Sequence, residues 1–184
     1  MIYPIVAYGD PILRKKAVAI EEGADVQTLA DDMLATMDQA QGVGLAAPQI
    51  GQSIRLFVVD FSQYLQEQGS TVEGRKVLIN PELRIDEAVP AETFEEGCLS
   101  MPGVRVEVPR HEKITIRYFD TAWQRHEEEW TGFPARVMMH EYDHLEGKLH
   151  IDYAAPLRKN LLKSKLKQIR HGKVEVPYKM KFPV

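Results

Sequence analysis

The spacing of apolar residues along the chain predicts three helices. Between Ala24 and Ala40, apolar side chains recur every three or four residues, which is typical of one face of an amphipathic helix. A second helical pattern follows Gly132 and leads to Gly147, a residue type that often ends a helix. A third pattern begins at Pro156 and is rich in lysine and arginine. We therefore expect an N-terminal helix, a late central helix and a basic C-terminal helix.

Continuous and alternating apolar runs predict strands between the first two helices. Two continuous runs, IRLFVVDF and KVLINPEL, are typical of buried strands, and the polar stretch between them predicts an exposed loop. Residues 104–108 and 113–119 alternate, as strands with one solvated face do. A further strand is expected in RHEEEWTG, its acids facing solvent, and a short edge strand in KVEVPYKMKF. This order predicts an α+β fold in which antiparallel β-sheets pack around the central helix.

Composition and charge narrow the function classes. The 184 residues suit one domain spanning 1–184, with 44% hydrophobic and 27% charged residues. The net charge of 23 − 27 = −4 argues against a general affinity for DNA or for anionic membranes. The chain has no apolar run of the roughly 20 residues that cross a bilayer, and its N-terminus lacks the layout of a signal peptide. A single cysteine fits a reducing compartment, so we expect a cytoplasmic protein.

The central helix carries an H-E-x-x-H pattern made of His140, Glu141 and His144. On a helix the two histidines lie about 40° apart on adjacent turns, so both imidazoles can reach one metal ion. Glu141 lies about 60° from His144, where it can contact a metal-bound water as a general base. The alternative is a histidine pair on the helix surface, since a short motif also arises by chance. The apolar residues ahead of the pair favour metal binding.

Cys98 is the candidate for a third ligand. It lies in the glycine-bounded stretch EGCLSMPG just before an alternating strand, rather than among the valines of a strand. The alternative is a small buried hydrophobe, which is the usual state of a free cysteine. Structural metal sites take four protein ligands, whereas three ligands leave a position open for catalysis. A Cys-His-His hydrolytic site is therefore expected, with an endopeptidase or a protein with a structural metal as the other candidates.

Three stretches together resemble the signature motifs of the peptide deformylase family. They are GVGLAAPQ at 42–49, EGCLS at 96–100 and HEYDHLEG at 140–147. The resemblance extends over most of the chain, and the three motifs in this order are far more specific than any one of them. It implies a hydrolase that removes the formyl group from the N-terminal formylmethionine of newly synthesised polypeptides and releases formate.

The resemblance also implies a role for each residue of the site. Cys98, His140 and His144 would bind one divalent ion, with a water as the fourth ligand; Fe²⁺ is expected first, with Zn²⁺, Ni²⁺ or Co²⁺ as alternatives. The metal-bound water would attack the formyl carbon with Glu141 as general acid and base. The side-chain amide of Gln49 and the backbone N–H of Leu99 would stabilise the oxyanion. Without the resemblance, Gln49 is more simply a loop cap.

Further positions follow from the same resemblance. Glu96 and Arg110 match an ion pair behind the cysteine turn and would support Cys98. The backbone of Gly44 would pair with the extended substrate. A pocket for the methionine side chain would be lined by Val43, Gly44, Phe94, Gly97, Leu99, Phe133, Arg136 and Val137. Core packing is the alternative role for each of these residues.

Two features depart from the family pattern. Met139 and Tyr142 stand in and beside the histidine motif where the family usually has Gln and Met. The chain also ends in a helix followed by a strand-like stretch, instead of one long helix. The basic residues of this region predict either a solvated surface or a transient contact with ribosomal RNA; they are Lys159, Lys163, Lys165, Lys167, Arg170 and Lys173.

Overall fold

The computed structural model describes residues 1–183 and has the predicted α+β fold. Four α-helices follow the order of the chain: α1 (Gln27–Gln39), α2 (Ser62–Glu67), α3 (Gly132–Leu145) and α4 (Pro156–Arg170). Short 3-10 helices occur at Pro11–Arg14, Ala47–Ile50 and His150–Tyr153. The strands are β1 (Ile5–Val6), β2 (Gly44–Ala46), β3 (Leu56–Asp60), β4 (Arg75–Ile85), β5 (Ala91–Cys98), β6 (Met101–His111), β7 (Lys113–Phe119), β8 (Arg125–Thr131) and β9 (Met180–Lys181).

Antiparallel sheets surround helix α3, as predicted. The larger sheet has five strands in the order β2-β3-β4-β7-β8, and β5 and β6 form a separate hairpin. The buried face of α3 carries Ala135, Met138 and Leu145, which join Phe57 and Ile116 of the sheet in one hydrophobic cluster. Burial of this apolar stripe is the main force that holds the helix against the sheet.

Two glycines define the ends of α3. Gly132 has φ +60 at its start, and Gly147 has φ +71 just after its last turn. At Gly147 a Cβ atom would approach the backbone carbonyl carbon of Arg14 to 2.8 Å. Both the left-handed conformation and this close approach favour glycine, so the predicted end of the helix is confirmed.

Two local predictions were wrong in detail, and one strand was missed. The stretch predicted as an exposed loop contains α2, because Leu65 packs into the cluster beneath the sheet. Strand β5 was not predicted, because its first five side chains are all exposed and no alternation is visible. Glu128 does not face solvent with the other acids of β8; it lies on the packed side, where it accepts hydrogen bonds from Trp130 and Tyr118.

The C-terminal stretch is less regular than predicted. Only Met180–Lys181 form a strand, and they pair with β1 in parallel rather than antiparallel. Side chains in this tail still alternate, with Val174, Val176 and Tyr178 half-buried between exposed neighbours. We call residues 173–183 the C-terminal tail; it follows α4 and returns to the N-terminal strand.

Candidate metal centre and substrate cavity

The three predicted ligands converge on one point. Cys98 stands at the end of β5, and its Sγ lies 3.4 Å from Nε2 of His144 on α3. The imidazole rings of His140 and His144 have their centroids 5.1 Å apart and are nearly perpendicular. One donor atom from each of the three residues lies within 4.8 Å of the other two. Adjacent helical turns supply the two histidines, and the hairpin supplies the thiol.

The hairpin geometry explains why Cys98 reaches the helix. The register of β5 against β6 shifts between Glu96 and Cys98, so Gly97 forms an irregularity in the ladder. Such bulges re-aim the side chains beside them. Leu99 and Ser100 make the turn, and the backbone N–H of Tyr8 donates to the Ser100 carbonyl oxygen at 2.9 Å. The cysteine is therefore a ligand at a strand end, as the sequence indicated.

Glu96 connects the cysteine strand to the histidine helix. Its carboxylate accepts hydrogen bonds from Nε and Nη2 of Arg110 at 2.6 and 2.9 Å, and from Nη1 of Arg136 at 3.3 Å. It also lies 2.9 Å from Nδ1 of His140. Burial raises the pKa of Glu96, but the hydrogen bonds from His140 and Arg110 outweigh it and lower the pKa to about 2. The predicted Glu96–Arg110 pair is present, and the contact with His140 leaves the other ring nitrogen, Nε2, free to face a metal.

Glu141 lies in a buried position beside the ligands. Its side chain is 4% exposed, and within residues 1–183 its Oε2 has no hydrogen-bond partner. Burial raises the pKa of Glu141 to about 7; the negative charge of Glu96 adds to this effect, and His140 opposes it. A Cβ atom at Gly44 would come within 2.8 Å of Cγ and Cδ of Glu141. Glycine at position 44 therefore leaves the space that this carboxyl occupies.

Gln49 acts as a loop cap, which is one of the two roles that the sequence left open, and its amide nitrogen faces the candidate metal centre. Its Oε1 accepts a hydrogen bond from the Ala46 N–H at 2.8 Å and so caps the short helix Ala47–Ile50. Its Nε2 points the other way, 3.5 Å from Cys98 Sγ and 3.4 Å from Ser100 Oγ. The cap fixes the orientation of the amide, so that the N–H groups face the candidate metal centre.

The donor set fits a divalent transition metal. One sulfur and two imidazole nitrogens suit Zn²⁺ and Fe²⁺. Histidine must be neutral to bind a metal, and burial lowers the pKa of His144 well below its ordinary value. Burial also lowers the pKa of His140, but its hydrogen bonds to Cys98 and Glu96 outweigh it and raise the pKa, so a metal must displace a proton there. Within residues 1–183 the group of donors has three members, which is the number in open catalytic sites rather than closed structural ones.

A cavity of about 1080 Å³ opens beside this centre. The predicted residues that line it are Val43, Gly44, Gln49, Phe94, Glu96, Gly97, Cys98, Leu99, Phe133, Arg136, Val137, His140 and Glu141. Val43, Phe94 and Phe133 are partly exposed at its surface, and the Arg136 guanidinium stacks on the Phe94 ring at 4.8 Å. Of the predicted residues, only His144 and Arg110 do not line it, and both are buried.

Sequence reasoning missed part of this cavity. Tyr64 of α2 lines it, and its ring lies 5.2 Å from that of Phe133. The C-terminal tail and helix α4 also contribute, through Lys165, Val174, Glu175, Val176 and Tyr178. The alternation in the tail was visible in the sequence, but nothing there indicated which surface its apolar side would cover.

Comparison with known proteins gives the family. The family model described as Polypeptide deformylase matches residues 2–160. The chain belongs to the polypeptide deformylase family. It is 50% identical to a peptide deformylase from Cytophaga hutchinsonii, over 100% of this chain and 99% of that one. Among solved structures, the peptide deformylase from Thermus thermophilus is 41% identical with a TM-score of 0.82, covering 94% of this chain and 99% of that chain.

A second solved deformylase, from Legionella pneumophila, is 38% identical with a TM-score of 0.81 and covers 94% of this chain and 98% of its own. Membership of the deformylase family makes this chain a hydrolase with a metal-binding Cys-His-His site, and so decides against the endopeptidase and the structural metal protein. No helix among residues 1–183 is long and apolar enough to cross a membrane. The family model ends at residue 160, so the C-terminal tail lies outside it.

Proposed function

We propose that this enzyme removes the formyl group from the N-terminal formylmethionine of newly synthesised polypeptides and releases formate. The observation that carries the proposal is that the predicted catalytic groups line one cavity. Its wall brings together two of the candidate ligands, a buried carboxyl group and an oriented amide: Cys98, His140, Glu141 and Gln49. A formamide is an unactivated amide, so its hydrolysis needs an activated water and stabilisation of the negative oxygen that develops.

Cys98, His140 and His144 would hold one divalent ion, which we propose is Fe²⁺, with Zn²⁺, Ni²⁺ and Co²⁺ as alternatives. When bound, such an ion supplies Lewis acidity, which lowers the pKa of a water molecule and polarises a carbonyl group. Glu96 supports this ligand set, because its carboxylate is the hydrogen-bond partner of Nδ1 of His140 and also accepts a hydrogen bond from Arg110. The charge of Glu96 orients the ring and increases its basicity.

Glu141 is proposed as the general base and then the general acid. Its Oε2 has no hydrogen-bond partner within residues 1–183, so this atom is available to take a proton from the attacking water. The same carboxyl group can then deliver the proton to the methionine amine as it leaves. A pKa raised to about 7 suits both steps at neutral pH, because neither protonation state is strongly disfavoured.

Gln49 and Leu99 are proposed to stabilise the oxyanion. The Ala46 N–H holds Oε1 of Gln49, so the amide cannot turn its oxygen towards the cavity without losing that hydrogen bond. The backbone N–H of Leu99 would supply the second donor, from the turn that follows Cys98. Donors that are oriented before the reaction stabilise developing charge without a further cost of reorganisation.

The methionine side chain is proposed to enter the apolar part of the cavity. Its lining residues there are Val43, Gly44, Phe94, Gly97, Leu99, Phe133, Arg136 and Val137. Strand β2 lies at the edge of the five-stranded sheet, so the backbone of Gly44 can pair with an extended peptide. The guanidinium of Arg136 donates hydrogen bonds to the carbonyl oxygens of Val108 and Glu92. Its flat face stacks on the Phe94 ring and forms part of the wall.

Nascent chains are the proposed partners, with the cytoplasm as the compartment. We also propose a transient ribosome contact through the other basic residues of α4, since Lys159 and Lys165 donate hydrogen bonds to carbonyl groups of this chain. A variant in which all six predicted basic residues of this region are charge-neutral should lose co-sedimentation with ribosomes if that contact exists. Co-sedimentation that persists in this variant would refute it.

The test of the proposed function is deformylation of formyl-Met-Ala-Ser by protein purified without oxygen. We expect Glu141→Gln to retain its metal and to lose about 10²–10⁴-fold in kcat, which is the usual contribution of a general base. Glu127→Gln is the matched control, because Glu127 pairs with Arg117 on the exposed face of the sheet. Normal turnover by the Glu141 variant would refute the mechanism, and no release of formate by the parent would refute the function.

A further inference from the structure

The C-terminal tail forms one wall of the substrate cavity and touches the turn that carries the metal ligand. Val174, Val176 and Tyr178 line the cavity together with Cys98 and Leu99. The hydroxyl of Tyr178 donates a hydrogen bond to the backbone carbonyl oxygen of Leu99 at 2.9 Å. These two residues are 79 positions apart, and the tail lies beyond the residues that the family model matches.

Tyr178 is held in place from both sides. Immediately after it, Lys179 O and Lys181 O accept hydrogen bonds from the backbone N–H groups of Ile5 and Ala7, each at 2.8 Å. Before it, Val174 packs against the hydrophobic cluster between β6 and α4. The Tyr178 ring itself packs in the cluster around helix α1. The Tyr178 hydroxyl therefore belongs to an anchored segment. A side chain that positions another residue must itself be held in place.

The turn formed by Leu99 and Ser100 is restrained by hydrogen bonds at both residues. Ser100 is fixed through its carbonyl oxygen by the N–H of Tyr8, and through its hydroxyl by Gln49. Leu99 lies between Ser100 and the ligand Cys98, and its carbonyl oxygen is held by Tyr178. Burial raises the pKa of Tyr178 to about 12. The hydroxyl therefore keeps its proton at neutral pH and remains a donor.

We propose that Tyr178 is a positioning residue for the reaction: its hydroxyl fixes the Leu99 backbone so that the Leu99 N–H faces the developing oxyanion. This inference rests on the proposed function. An N–H that contacts only the oxyanion stabilises the transition state more than the bound substrate. Loss of the restraint should therefore lower kcat and kcat/KM by the same factor and leave KM unchanged.

The test is Tyr178→Phe, which removes the hydroxyl and keeps the ring. Removing one oxyanion donor costs about 10²–10³-fold in kcat, and a donor that is loosened rather than removed should cost about 10-fold. The matched control is Tyr3→Phe, because Tyr3 packs in the same cluster as Tyr178 but is not part of the cavity wall. Rates are divided by the metal content of each protein, so that lost metal is not counted as slower chemistry.

A second measurement does not depend on activity. Deuterium uptake by the backbone of residues 98–101 should be faster in Tyr178→Phe than in the parent, and unchanged in Tyr3→Phe. A kcat within twofold of the parent, a rise in KM alone, or an unchanged uptake would each overturn the inference. A parent protein that releases no formate would instead refute the proposed function, and with it this role. If the parent is active and Tyr178→Phe has the same rate, only the role of Tyr178 is refuted.

Discussion

Glu96→Gln removes the charge at the point where the cysteine strand, two arginines and a ligand histidine meet. Glu96 is 7% exposed, and Arg110 and Arg136 beside it are 5% and 8% exposed. Glutamine keeps the shape and one acceptor oxygen, but its NH₂ group must face either Nε of Arg110 and Nη1 of Arg136 or Nη2 of Arg110 and Nδ1 of His140. Two buried nitrogen atoms therefore lose their acceptor in either orientation, and the ring of His140 loses the charge that orients it.

The expected magnitude follows from the burial of these groups. The fall in the pKa of Glu96 from 4.5 to about 2 corresponds to about 3 kcal/mol in favour of the charged form. Breaking a buried ion pair by removing one partner costs about 3–5 kcal/mol, and glutamine should lie at the lower end of that range. Loss of a group that orients a ligand lowers metal affinity by about 10–100-fold.

Two assays separate these effects. Urea unfolding of the metal-free protein gives the free energy of unfolding, and competition with a chromophoric chelator gives the dissociation constant for Co²⁺ or Zn²⁺. Glu127→Gln is the control, since Glu127 lies on the exposed face of β8, and should change neither quantity. An unchanged dissociation constant in Glu96→Gln would refute the reasoning that Glu96 orients His140, even if stability fell.

Three further changes test other parts of the site and the sheet. Gly44→Ala should displace the carboxyl of Glu141 and lower kcat about 100-fold, with metal content unchanged; normal kcat would contradict the steric argument. Cys98→Ala should yield protein that keeps its far-ultraviolet circular dichroism but loses its metal, because two histidines are too few ligands; full metal content would contradict this. In the sheet, burial raises the pKa of Glu128, but hydrogen bonds from Trp130 and Lys76 outweigh it and lower the pKa. The stabilising contribution of the charged Glu128 is therefore complete above the unfolded pKa of about 4.3 and is lost as the pH falls below it. The stability difference between the parent and Glu128→Gln, measured by urea unfolding, should shrink below that pH and be constant above it.

Much of the fold could be predicted because its elements have a regular apolar period. Helix α1 was expected at 24–40 and occurs at 27–39, and α3 ends just before the glycine that was expected to end it. The apolar periodicity did not predict elements that form because of tertiary contacts. Strand β5 is mostly polar and exists because it pairs with β6, and α2 forms where Leu65 finds an apolar surface. Neither contact leaves a signal in a short window of sequence.

The sequence by itself determined the chemistry of the metal centre. The four-residue spacing of His140 and His144 puts both rings on one side of a helix, whatever packs around it. Local helix geometry thus made the histidine pair predictable, and the absence of a second cysteine made Cys98 the only thiol available as a third ligand.

Only the tertiary structure decided how that centre is supported. Glu96 reaches His140 across 44 residues, Tyr178 reaches Leu99 across 79, and the carboxyl of Glu141 occupies the space left by Gly44. Such contacts depend on how a hairpin, a helix and a tail pack together. This packing results from burial of apolar surface over the whole chain. Because the hydrophobic effect is non-directional, the pattern of any one segment cannot specify these contacts.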